Sequence, residues 1–245
     1  MSAIELTDVG KRYGDFQALD GLSLSVDRGE LFGLLGPNGA GKTTAIQLLT
    51  GQLAPDDGTL SVLDTDPATE PIETRRLVGI VPEKESPPSF LTPREYFEFV
   101  GQVREMPADL LDDRIEEWAD RLSFTEKLDA ISTDLSRGQQ QKVMITQAFL
   151  HDPDVVFIDE PLANLDPIMQ ERVKEYFEQY RSEDNALFLS THQIEVAEEI
   201  CSRVGVVGDG RLVAEQRPAE MSEEESLLDA FKQGATAERP AAAPR

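Results

Sequence analysis

Cysteine is almost absent from this chain of 245 residues, and long apolar runs are absent altogether. The single cysteine, Cys201, cannot form a disulfide within the chain, and its neighbours favour a small buried helix residue over a reactive thiol. No stretch reaches the roughly eighteen consecutive apolar residues that cross a bilayer, and the first five residues carry neither a basic patch nor an apolar signal core. We therefore expect a cytoplasmic protein without a membrane span of its own.

Basic residues are also scarce. The chain has 23 Lys and Arg, of which seven are lysine, against 47 Asp and Glu, and its net charge is −24. Such a charge repels itself in dilute buffer and opposes binding to nucleic acid, so no nucleic-acid partner is expected. Molar salt shortens the screening length to about 3 Å and removes this repulsion. The composition therefore favours a salt-rich, halophilic cytoplasm, with an ordinary acidic protein as the alternative.

The pattern of apolar residues predicts an α/β fold. Two strands with alternating apolar residues flank a turn at Tyr13-Gly14, which indicates an N-terminal antiparallel portion. Continuous apolar runs are typical of strands buried on both faces, and they occur at 31–35, 78–81, 155–159, 187–190 and 204–207. Helical segments alternate with these strands, so the core sheet is expected to be mainly parallel.

Between about residues 82 and 138 the pattern becomes helical. Thr92, Pro93 and Glu95 form a typical helix start, with an N-cap residue, proline at the first position and glutamate three residues after the cap. Two apolar stripes follow, and their residues are Tyr96, Phe97, Val100 and Val103, and then Leu110, Leu111, Ile115 and Trp118.

These patterns divide the chain into three parts. We predict a main domain over 1–217 with an inserted α-helical subdomain at about 84–140. A short helical extension over 218–233 is expected to dock through Leu227, Leu228 and Phe231. The last residues, 234–245, are rich in alanine and proline and are predicted to be disordered.

A glycine-rich loop follows the run at 31–35. It fits the pattern Gly-x4-Gly-Lys-Thr, and its residues are Gly36, Pro37, Asn38, Gly39, Ala40, Gly41, Lys42 and Thr43, followed by Thr44. Such a loop points successive N–H groups inward, and the helix that follows adds partial positive charge. Lys42 can reach the β- and γ-phosphates, and the Thr43 hydroxyl can bind Mg²⁺. The loop therefore predicts a site for a nucleoside triphosphate, the alternative being a chance match in a flexible turn.

Two carboxylates stand at the end of the run at 155–159. Asp159 is expected beside the phosphates, where it can hold Mg²⁺ through water. Glu160 should point to the other side of the strand end, where it can orient and deprotonate an attacking water. Acidic residues at strand ends are common, but combined with the glycine loop the pair predicts hydrolysis of the bound triphosphate.

A second short motif, Leu135-Ser136-Arg137-Gly138-Gln139, precedes another predicted helix. Ser136 followed three residues later by Gln139 is a capping box, which gives the motif a purely structural explanation. Gly138 is not explained in this way, because glycine in the first turn weakens a helix by up to about 1 kcal/mol. Close approach of the backbone to a phosphate would account for it.

In combination these motifs resemble those of the ATP-binding-cassette ATPases, the nucleotide-binding subunits of ABC transporters. The resemblance covers about 4–215, and in chain order it includes Tyr13, the glycine loop, the motif at 135–139, the run ending in Asp159-Glu160-Pro161, Leu165-Asp166 and His192. It implies a P-loop NTPase core and the cofactors ATP and Mg²⁺.

The resemblance also assigns roles to residues. It implies that Tyr13 stacks on adenine, and that Ser136, Gly138 and Gln139 form a signature that closes over the γ-phosphate bound by a second copy. Asp166 resembles the acidic residue of a loop that communicates between the two sites. His192 resembles a switch histidine that contacts the γ-phosphate and the attacking water. The other histidine, His151, is interpreted as structural.

Three residues depart from the common pattern of the family. Glu83 stands where many relatives carry a glutamine that contacts Mg²⁺ and relays motion to the membrane partner, although a glutamate can still accept from a metal-bound water. Arg137 and Asn164 each replace a glycine. Glu83 and Arg137 resemble the residues found at these positions in the subgroup that pairs with ABC-2-type permeases. This resemblance implies export.

The resemblance thus implies a dimeric ATPase, paired with a second copy or a paralogous ATPase, in which Glu160, His192 and Lys42 act in catalysis. It would power transport through a separate permease on the inner face of the cell membrane. One alternative is a soluble cassette ATPase in nucleic-acid, ribosome or cluster-assembly work, which the single cassette, the lack of a long coiled coil and the acidic charge oppose. A catalytically silent module is the other, and the intact Lys42, Asp159, Glu160 and His192 oppose it.

Overall fold

A computed structural model of the protein describes residues 2–84, 86–181, 185–221, 227, 228, 231 and 232. The predicted tail at 234–245 lies outside the described residues, as does much of the extension at 218–233. Within the described ranges, no helix is long and apolar enough to cross a bilayer.

The chain alternates strands and helices over most of its length. The strands are β1 (Ser2–Tyr13), β2 (Phe16–Asp27), β3 (Leu31–Leu35), β4 (Asp57–Val62), β5 (Val78–Val81), β6 (Val155–Asp159), β7 (Ala186–Thr191), β8 (Arg203–Gly208) and β9 (Arg211–Gln216). The helices are α1 (Lys42–Leu49), α2 (Pro71–Leu77), α3 (Pro93–Val103), α4 (Ala108–Arg121), α5 (Arg137–Phe149), α6 (Pro167–Arg181) and α7 (Ile194–Ile200). Short 3₁₀ turns lie at Thr125–Lys127, Ser132–Asp134 and Pro218–Glu220.

The strands form two sheets. Three antiparallel strands, in the order β2-β1-β4, make the smaller sheet, and six strands in the order β5-β6-β7-β3-β8-β9 make the larger one. The first five strands of the larger sheet are parallel, and β9 is antiparallel to β8. The predicted α/β fold, with a mainly parallel core sheet and an antiparallel N-terminal portion, is confirmed.

The larger sheet separates two apolar layers. One layer packs α1 and the smaller sheet against it, and the alternation in β2 buries Leu22, Leu24 and Val26 there, as predicted. The other layer contains the apolar faces of α3 to α7. Every residue of β3 is buried, because this strand lies between β7 and β8 with a layer on each face. The continuous apolar run at 31–35 reflects this position.

Helices α3 and α4 lie between β5 and α5. Helix α3 starts as predicted, but one residue of each predicted apolar stripe is exposed. Thr92 and Glu95 form the capping box of α3, and Phe97 is fully buried. Val103 and Leu110, however, are 64% and 45% exposed, so these two members of the predicted apolar stripes lie outside the core. The reason is a close contact at Gly101, where a Cβ would lie 2.4 Å from Leu111 Cδ2. This contact fixes the inward face of α3 and leaves Val103 outside.

Helix α5 is fixed at its C-terminal end to the edge strand β5. A Cβ on Gly79 would lie 2.2 Å from the carbonyl oxygen of Ala148, so strand and helix backbones are almost in contact. Gln147 Nε2 also donates to the Ile80 carbonyl at 2.6 Å. The N-terminal end of α5 carries the motif that begins at Leu135.

An aromatic cluster joins α4 to α5 and α6. Trp118 is 2% exposed, and its ring centroid lies 5.4 Å from that of Phe149 and 4.6 Å from that of Tyr176. Further along the chain, Leu227 is buried in the same apolar layer and Phe231 packs against it, whereas Leu228 is 43% exposed. The single tryptophan therefore reports on the packing of the helical layer.

A buried arginine connects the two sheets. Arg203, at the start of β8, is 8% exposed, and its guanidinium donates to both carboxylate oxygens of Glu30, at 2.7 and 2.6 Å. It also donates to Glu215 Oε1 at 2.8 Å and to the Ser25 carbonyl at 2.6 Å. The guanidinium carbon lies 5.1 Å from the centre of the Phe32 ring. One side chain thus links β2, β3, β8 and β9.

Candidate active site

The predicted catalytic residues follow three neighbouring strands. The glycine loop follows β3, Asp159 ends β6 with Glu160 next to it, and His192 follows β7. Because β6, β7 and β3 are adjacent and parallel, their carboxyl ends meet at one edge of the sheet. Ligands of open α/β sheets bind at this edge.

The glycine loop adopts a conformation that only glycine takes easily at two positions. Gly39 and Gly41 have φ angles of +84° and +109°, and a Cβ on Gly41 would lie 2.6 Å from the Ala18 carbonyl oxygen. Lys42 is 7% exposed, and its ammonium donates to the carbonyls of Gly36 at 2.8 Å and Pro37 at 3.2 Å. Burial lowers the pKa of Lys42, although Glu160, Asp159 and Glu83 act in the opposite direction. The loop therefore curls around a buried cation at the start of α1, an arrangement that favours phosphate.

Asp159 is held between two hydroxyl groups. Its Oδ2 accepts from Thr43 Oγ1 at 2.8 Å, and its Oδ1 accepts from Ser190. A hydroxyl and a carboxylate are ligands that Mg²⁺ prefers, usually with water and phosphate oxygens completing its shell. No cluster of three or more acidic, histidine or cysteine side chains suited to a metal occurs in the described part of the chain. The pair fits a cation that takes its other ligands from a bound phosphate.

Glu160 has a different set of partners. It is 9% exposed, its Oε1 lies 2.7 Å from His192 Nδ1, and its Oε2 accepts from Thr191 Oγ1 at 3.3 Å. Its φ is +50°, a left-handed conformation that is costly for a side chain of this size. The Glu160 N–H donates to the Ser190 carbonyl at 3.1 Å, which helps to hold this conformation. The two neighbouring carboxylates therefore have separate partners, Asp159 beside Thr43 and Glu160 beside His192.

These residues line one large cavity of about 820 Å³, within the size range of small-molecule sites. The sheet side of the lining includes Asn38, Gly39, Gly41, Lys42, Thr43, Thr44, Asp159, Glu160 and His192. The lining also includes residues of the segments after β5 and β6 and of the first two turns of α5, namely Glu83, Lys84, Ala163, Asn164, Arg137, Gln140 and Gln141. The structure thus brings the glycine loop and the start of α5 to one cavity, a juxtaposition that sequence spacing alone does not give.

The two aromatic residues at the β1–β2 turn have different positions. Tyr13 and Phe16 are register partners across the turn, and they are 45% and 42% exposed. Phe16 lines the cavity, whereas Tyr13 is not among its lining residues. Sequence reasoning missed Phe16, and its signal was the hairpin register, which places it opposite Tyr13. The stacking role of Tyr13 stays a prediction.

The start of α5 has the capping box predicted from its sequence. Ser136 Oγ accepts from the Gln139 N–H at 3.3 Å, and Gln139 Oε1 accepts from the Ser136 N–H at 2.9 Å. A Cβ on Gly138 would lie 2.8 Å from the carbonyl oxygen of Asn164. The close approach of the Asn164 backbone therefore explains why position 138 is a glycine, without a bound phosphate. Ser136, Gly138 and Gln139 are not among the lining residues of the cavity.

The remaining predicted residues lie at the periphery. Glu83 lines the cavity, and its Oε1 lies 3.5 Å from the ammonium of the neighbouring Lys84, an exposed pair. Asp166 Oδ1 accepts from the Met169 N–H at 3.1 Å and so caps α6. Cys201 directly follows α7 and is buried against Gly33, and burial raises the pKa of its thiol.

His151 lies in the turn after α5, away from the cavity. Burial lowers the pKa of His151 to about 3, and the nearby Arg104 contributes in the same direction. The imidazole is therefore neutral at ordinary pH, which agrees with its interpretation as a structural residue.

The sequence and the fold are both similar to those of known ABC proteins. Residues 19–163 match the family model of the ABC transporter. The chain is 33% identical over 232 residues to a Nod factor export ATP-binding protein I of Burkholderia lata, a match that covers 95% of this chain and 76% of the relative. The protein of the same name from Sinorhizobium fredii is 34% identical over 230 residues, covering 94% and 67% of the two chains.

Two solved structures have the same fold. An ATP-binding subunit of an ABC transporter superposes with a TM-score of 0.88 at 27% identity, covering 95% of this chain and 99% of that one. A bacterial ABC transporter cassette, solved as a dimer, gives a TM-score of 0.80 at 25% identity, covering 88% and 98%. With a phosphate loop, a magnesium-compatible hydroxyl–carboxylate pair and a glutamate–histidine pair on one sheet edge, the chain belongs to the ABC transporter family as an ATP-binding subunit that hydrolyses ATP.

Proposed function

We propose that this chain is the energy-supplying subunit of an exporter, that it acts as a dimer closed by ATP, and that its membrane partner is an ABC-2-type permease. The observation that carries the catalytic part is the 2.7 Å contact between Glu160 and His192 beside the glycine loop. Export is supported by the relatives named as Nod factor export ATP-binding proteins. Dimer formation is supported by the cassette of the same fold that was solved as a dimer.

The site residues divide the work of hydrolysis. The N–H groups of the loop at 36–44 and the Lys42 ammonium bind the β- and γ-phosphates, and Tyr13 stacks on the adenine. Thr43 and Asp159 would hold Mg²⁺, which supplies charge neutralisation of the phosphates when bound, and Glu83 would accept from a metal-bound water. Glu160 removes a proton from the attacking water, and His192 positions that water and the γ-phosphate.

Glu160 is suited to this role by its surroundings. Its carboxylate is almost fully buried, yet it keeps one hydroxyl and one imidazole partner on separate oxygens. Asp159, in contrast, is committed to Thr43 and Ser190. The general base is therefore Glu160, and Asp159 is the metal ligand.

The dimer places the start of α5 of one chain over the nucleotide of the other. Ser136, Gly138 and Gln139 form the signature that contacts the γ-phosphate held by the second copy or by a paralogous ATPase. Hydrolysis removes the γ-phosphate that joins the two chains, and the dimer reopens. Asp166 immediately precedes α6 and belongs to the loop through which the two ATP sites of the dimer communicate.

The permease is a separate chain that docks beside the helical subdomain at about 84–140, on the inner face of the membrane. Two aromatic side chains on this part of the surface, Phe90 and Phe99, are 76% and 57% exposed. They lie on the segment that follows Glu83 and on α3, so a partner bound there contacts the same segment that lines the ATP cavity. Exposed aromatic side chains are enriched in protein interfaces.

Glu160→Gln tests the dimer. The variant keeps the shape of the side chain but cannot take the proton, so we expect ATP to trap a dimer that light scattering detects and that ADP does not support. Lys42→Ala is the matched control, with neither phosphate release nor an ATP-dependent dimer. A Glu160→Gln chain that stays monomeric at saturating ATP refutes the dimer.

Co-purification tests the partner. Membranes of the source cell, solubilised and captured through this chain, should yield a polytopic membrane protein. Recovery of ribosomes or of cluster-assembly proteins instead, with no membrane protein, refutes the transport assignment.

A further inference from the structure

A second cavity lies at the start of β5, whereas the ATP cavity lies beyond the end of that strand. Its volume is about 370 Å³, and it is lined by residues from the end of α2, the end of α3, the loop that follows α3 and the turn after α5. The two cavities share no lining residue. A volume in this range is typical of small-molecule sites. The second cavity can therefore hold a ligand without displacing ATP.

Arg104, which directly follows α3, brings a half-buried positive charge to this cavity. Its Nη1 donates to the Arg76 carbonyl at 3.0 Å and its Nη2 to the Val78 carbonyl at 3.1 Å. Burial lowers the pKa of Arg104 to about 10, and within the described ranges Tyr96 is the one side chain whose charge offsets this shift. The Nε–H has no partner among the residues that the structure describes, and it is not enclosed. A partly buried charge without a counter-ion is costly, so the guanidinium gains from an anion.

The rest of the lining combines a second cation with apolar groups. Arg76 lies in the last turn of α2, its side chain is 68% exposed, and its Nη1 is 3.8 Å from Glu73 Oε2, a loose contact. Val103 and Met106 supply apolar wall. Among the described residues, Glu105 is the one carboxylate of the lining, against two guanidinium groups. The charge balance therefore favours an anion, and the walls favour an apolar group attached to it.

His151 forms a further wall of the second cavity. Both of its ring nitrogens are enclosed and have no hydrogen-bond partner within the described part of the chain, although the Val78 backbone is close enough to raise the pKa of the imidazole. The ring therefore contributes an uncharged surface rather than a donor. The Arg104 charge acts on the pKa of His151, so an anion that pairs with Arg104 changes the surroundings of this ring. His151 can thus report on a ligand that it does not itself bind.

We propose that the second cavity binds a small organic anion, a carboxylate or phosphate monoester that carries a short apolar group, through the guanidinium groups of Arg104 and Arg76. A guanidinium presents N–H groups in a planar fork that matches the oxygens of such an anion. The apolar group would lie against Val103 and Met106. Because Arg104 also donates to Val78, the first residue of β5, the ligand is linked to the strand that leads to the segment of Glu83.

The test adds phenyl phosphate, which combines a phosphate with an apolar ring, to the full chain saturated with ADP and Mg²⁺ at constant KCl. The chain has two histidines, so their ring signals in NMR spectra separate the sites, His151 for the second cavity and His192 for the ATP cavity. A His151→Gln variant assigns the signals. We expect the His151 signal to move with a dissociation constant of about 1–10 mM, as for a ligand this small. Inorganic phosphate should bind more weakly, and uncharged benzyl alcohol should not move the signal.

Arg76→Met and Arg75→Met form a matched pair of variants. Both residues lie in the last turn of α2, but Arg75 donates to the Pro71 carbonyl at 2.9 Å and does not line the second cavity. Loss of one charge-assisted hydrogen bond should weaken binding of phenyl phosphate about tenfold in Arg76→Met. Arg75→Met should bind it as the wild type does. Arg104→Met should weaken binding further, and Trp118 fluorescence checks that this variant folds.

Three results would overturn the proposal. A His151 signal that does not move at about 50 mM phenyl phosphate, with or without movement of the His192 signal, shows that the second cavity does not take the anion. A His151 signal that follows benzyl alcohol as closely as phenyl phosphate shows an apolar cavity without selection for charge. Equal binding by Arg76→Met and Arg75→Met refutes the part assigned to Arg76, and this pair decides even if Arg104→Met fails to fold.

Discussion

Removal of the Arg203 side chain should destabilise the fold strongly. Within the described ranges, Arg203→Met leaves Glu30, which is 6% exposed, with the Asp27 N–H at 3.0 Å as its one remaining hydrogen-bond partner. It also breaks the contacts with Glu215 and the Ser25 carbonyl. Breaking a buried pair by removing one partner costs about 3–5 kcal/mol. For a chain of this size that corresponds to a decrease of about 6–20 °C in melting temperature.

The assay is urea unfolding followed by the fluorescence of Trp118, in a buffer of constant high salt. Trp118 lies in the helical layer, whereas Arg203 packs on Phe32, which belongs to the layer between the sheets, so the signal reports global unfolding rather than a local change. Arg211→Met is a matched control, since the ion pair of Arg211 with Asp20 is exposed and should contribute less than about 1 kcal/mol. If Arg203→Met costs no more than this control, the two sheets are not held together by the buried pair.

The same variant should change the pH dependence of stability. Burial alone raises the pKa of Glu30, but hydrogen bonds from Arg203 and the Asp27 N–H outweigh it and leave the pKa below its usual value of 4.5. In the wild type, ionised Glu30 therefore adds to the free energy of unfolding. This contribution is complete above pH 4.5 and is lost as the pH falls through the folded-state pKa of Glu30. Without Arg203, burial dominates and the folded-state pKa rises. The variant should then lose stability as the pH increases from 5 to 8, whereas a flat profile would contradict the argument.

Two further outcomes are expected. Gly138→Ala should lower both the free energy of unfolding and the rate of phosphate release, because the added Cβ would lie 2.8 Å from the Asn164 carbonyl oxygen. A clash of this kind costs about 1–3 kcal/mol. A variant more stable than the wild type in the urea assay would contradict this. In a melting series from low salt to molar KCl, the melting temperature should rise, because screening relieves the repulsion of a net charge of −24; a constant or falling melting temperature would show that the acidity is not an adaptation to salt.

The buried strands and the residues at their ends could be predicted because their signals are local. A continuous apolar run needs a strand buried on both faces, and the residue that follows such a strand lies at the edge of the sheet. For this reason Asp159 could be predicted to end a strand, and it is the last residue of β6. By contrast, β4, β9 and α2 were not predicted. In β9 no residue is fully buried, so its sequence lacks a strong apolar pattern.

Contacts between distant segments could not be predicted from sequence. The pairing of Arg203 with Glu30 joins residues far apart in the chain, and each alone is an ordinary charged residue. The same holds for Gly138, whose neighbour Asn164 is brought to it only by the folded loop after β6. The exposure of Val103 depends on a glycine that lets α4 approach α3. The local sequence pattern predicts where helices and strands occur. Which face of each element is buried depends on contacts with segments that are distant in the sequence.

The attachment of α5 to β5 has a mechanical consequence. The C-terminal end of α5 is in near contact with the backbone of an edge strand, and that strand leads directly into the segment of Glu83. Because a helix is rigid, α5 moves as one unit. Its C-terminal end is held by β5, and the motif at 135–139 lies at its other end. A tilt of the tip toward a neighbouring subunit must therefore strain or shift β5, which has a strand on one side only. In the proposed dimer, the nucleotide contact at the N-terminal end of α5 is therefore coupled, through β5, to the Glu83 segment.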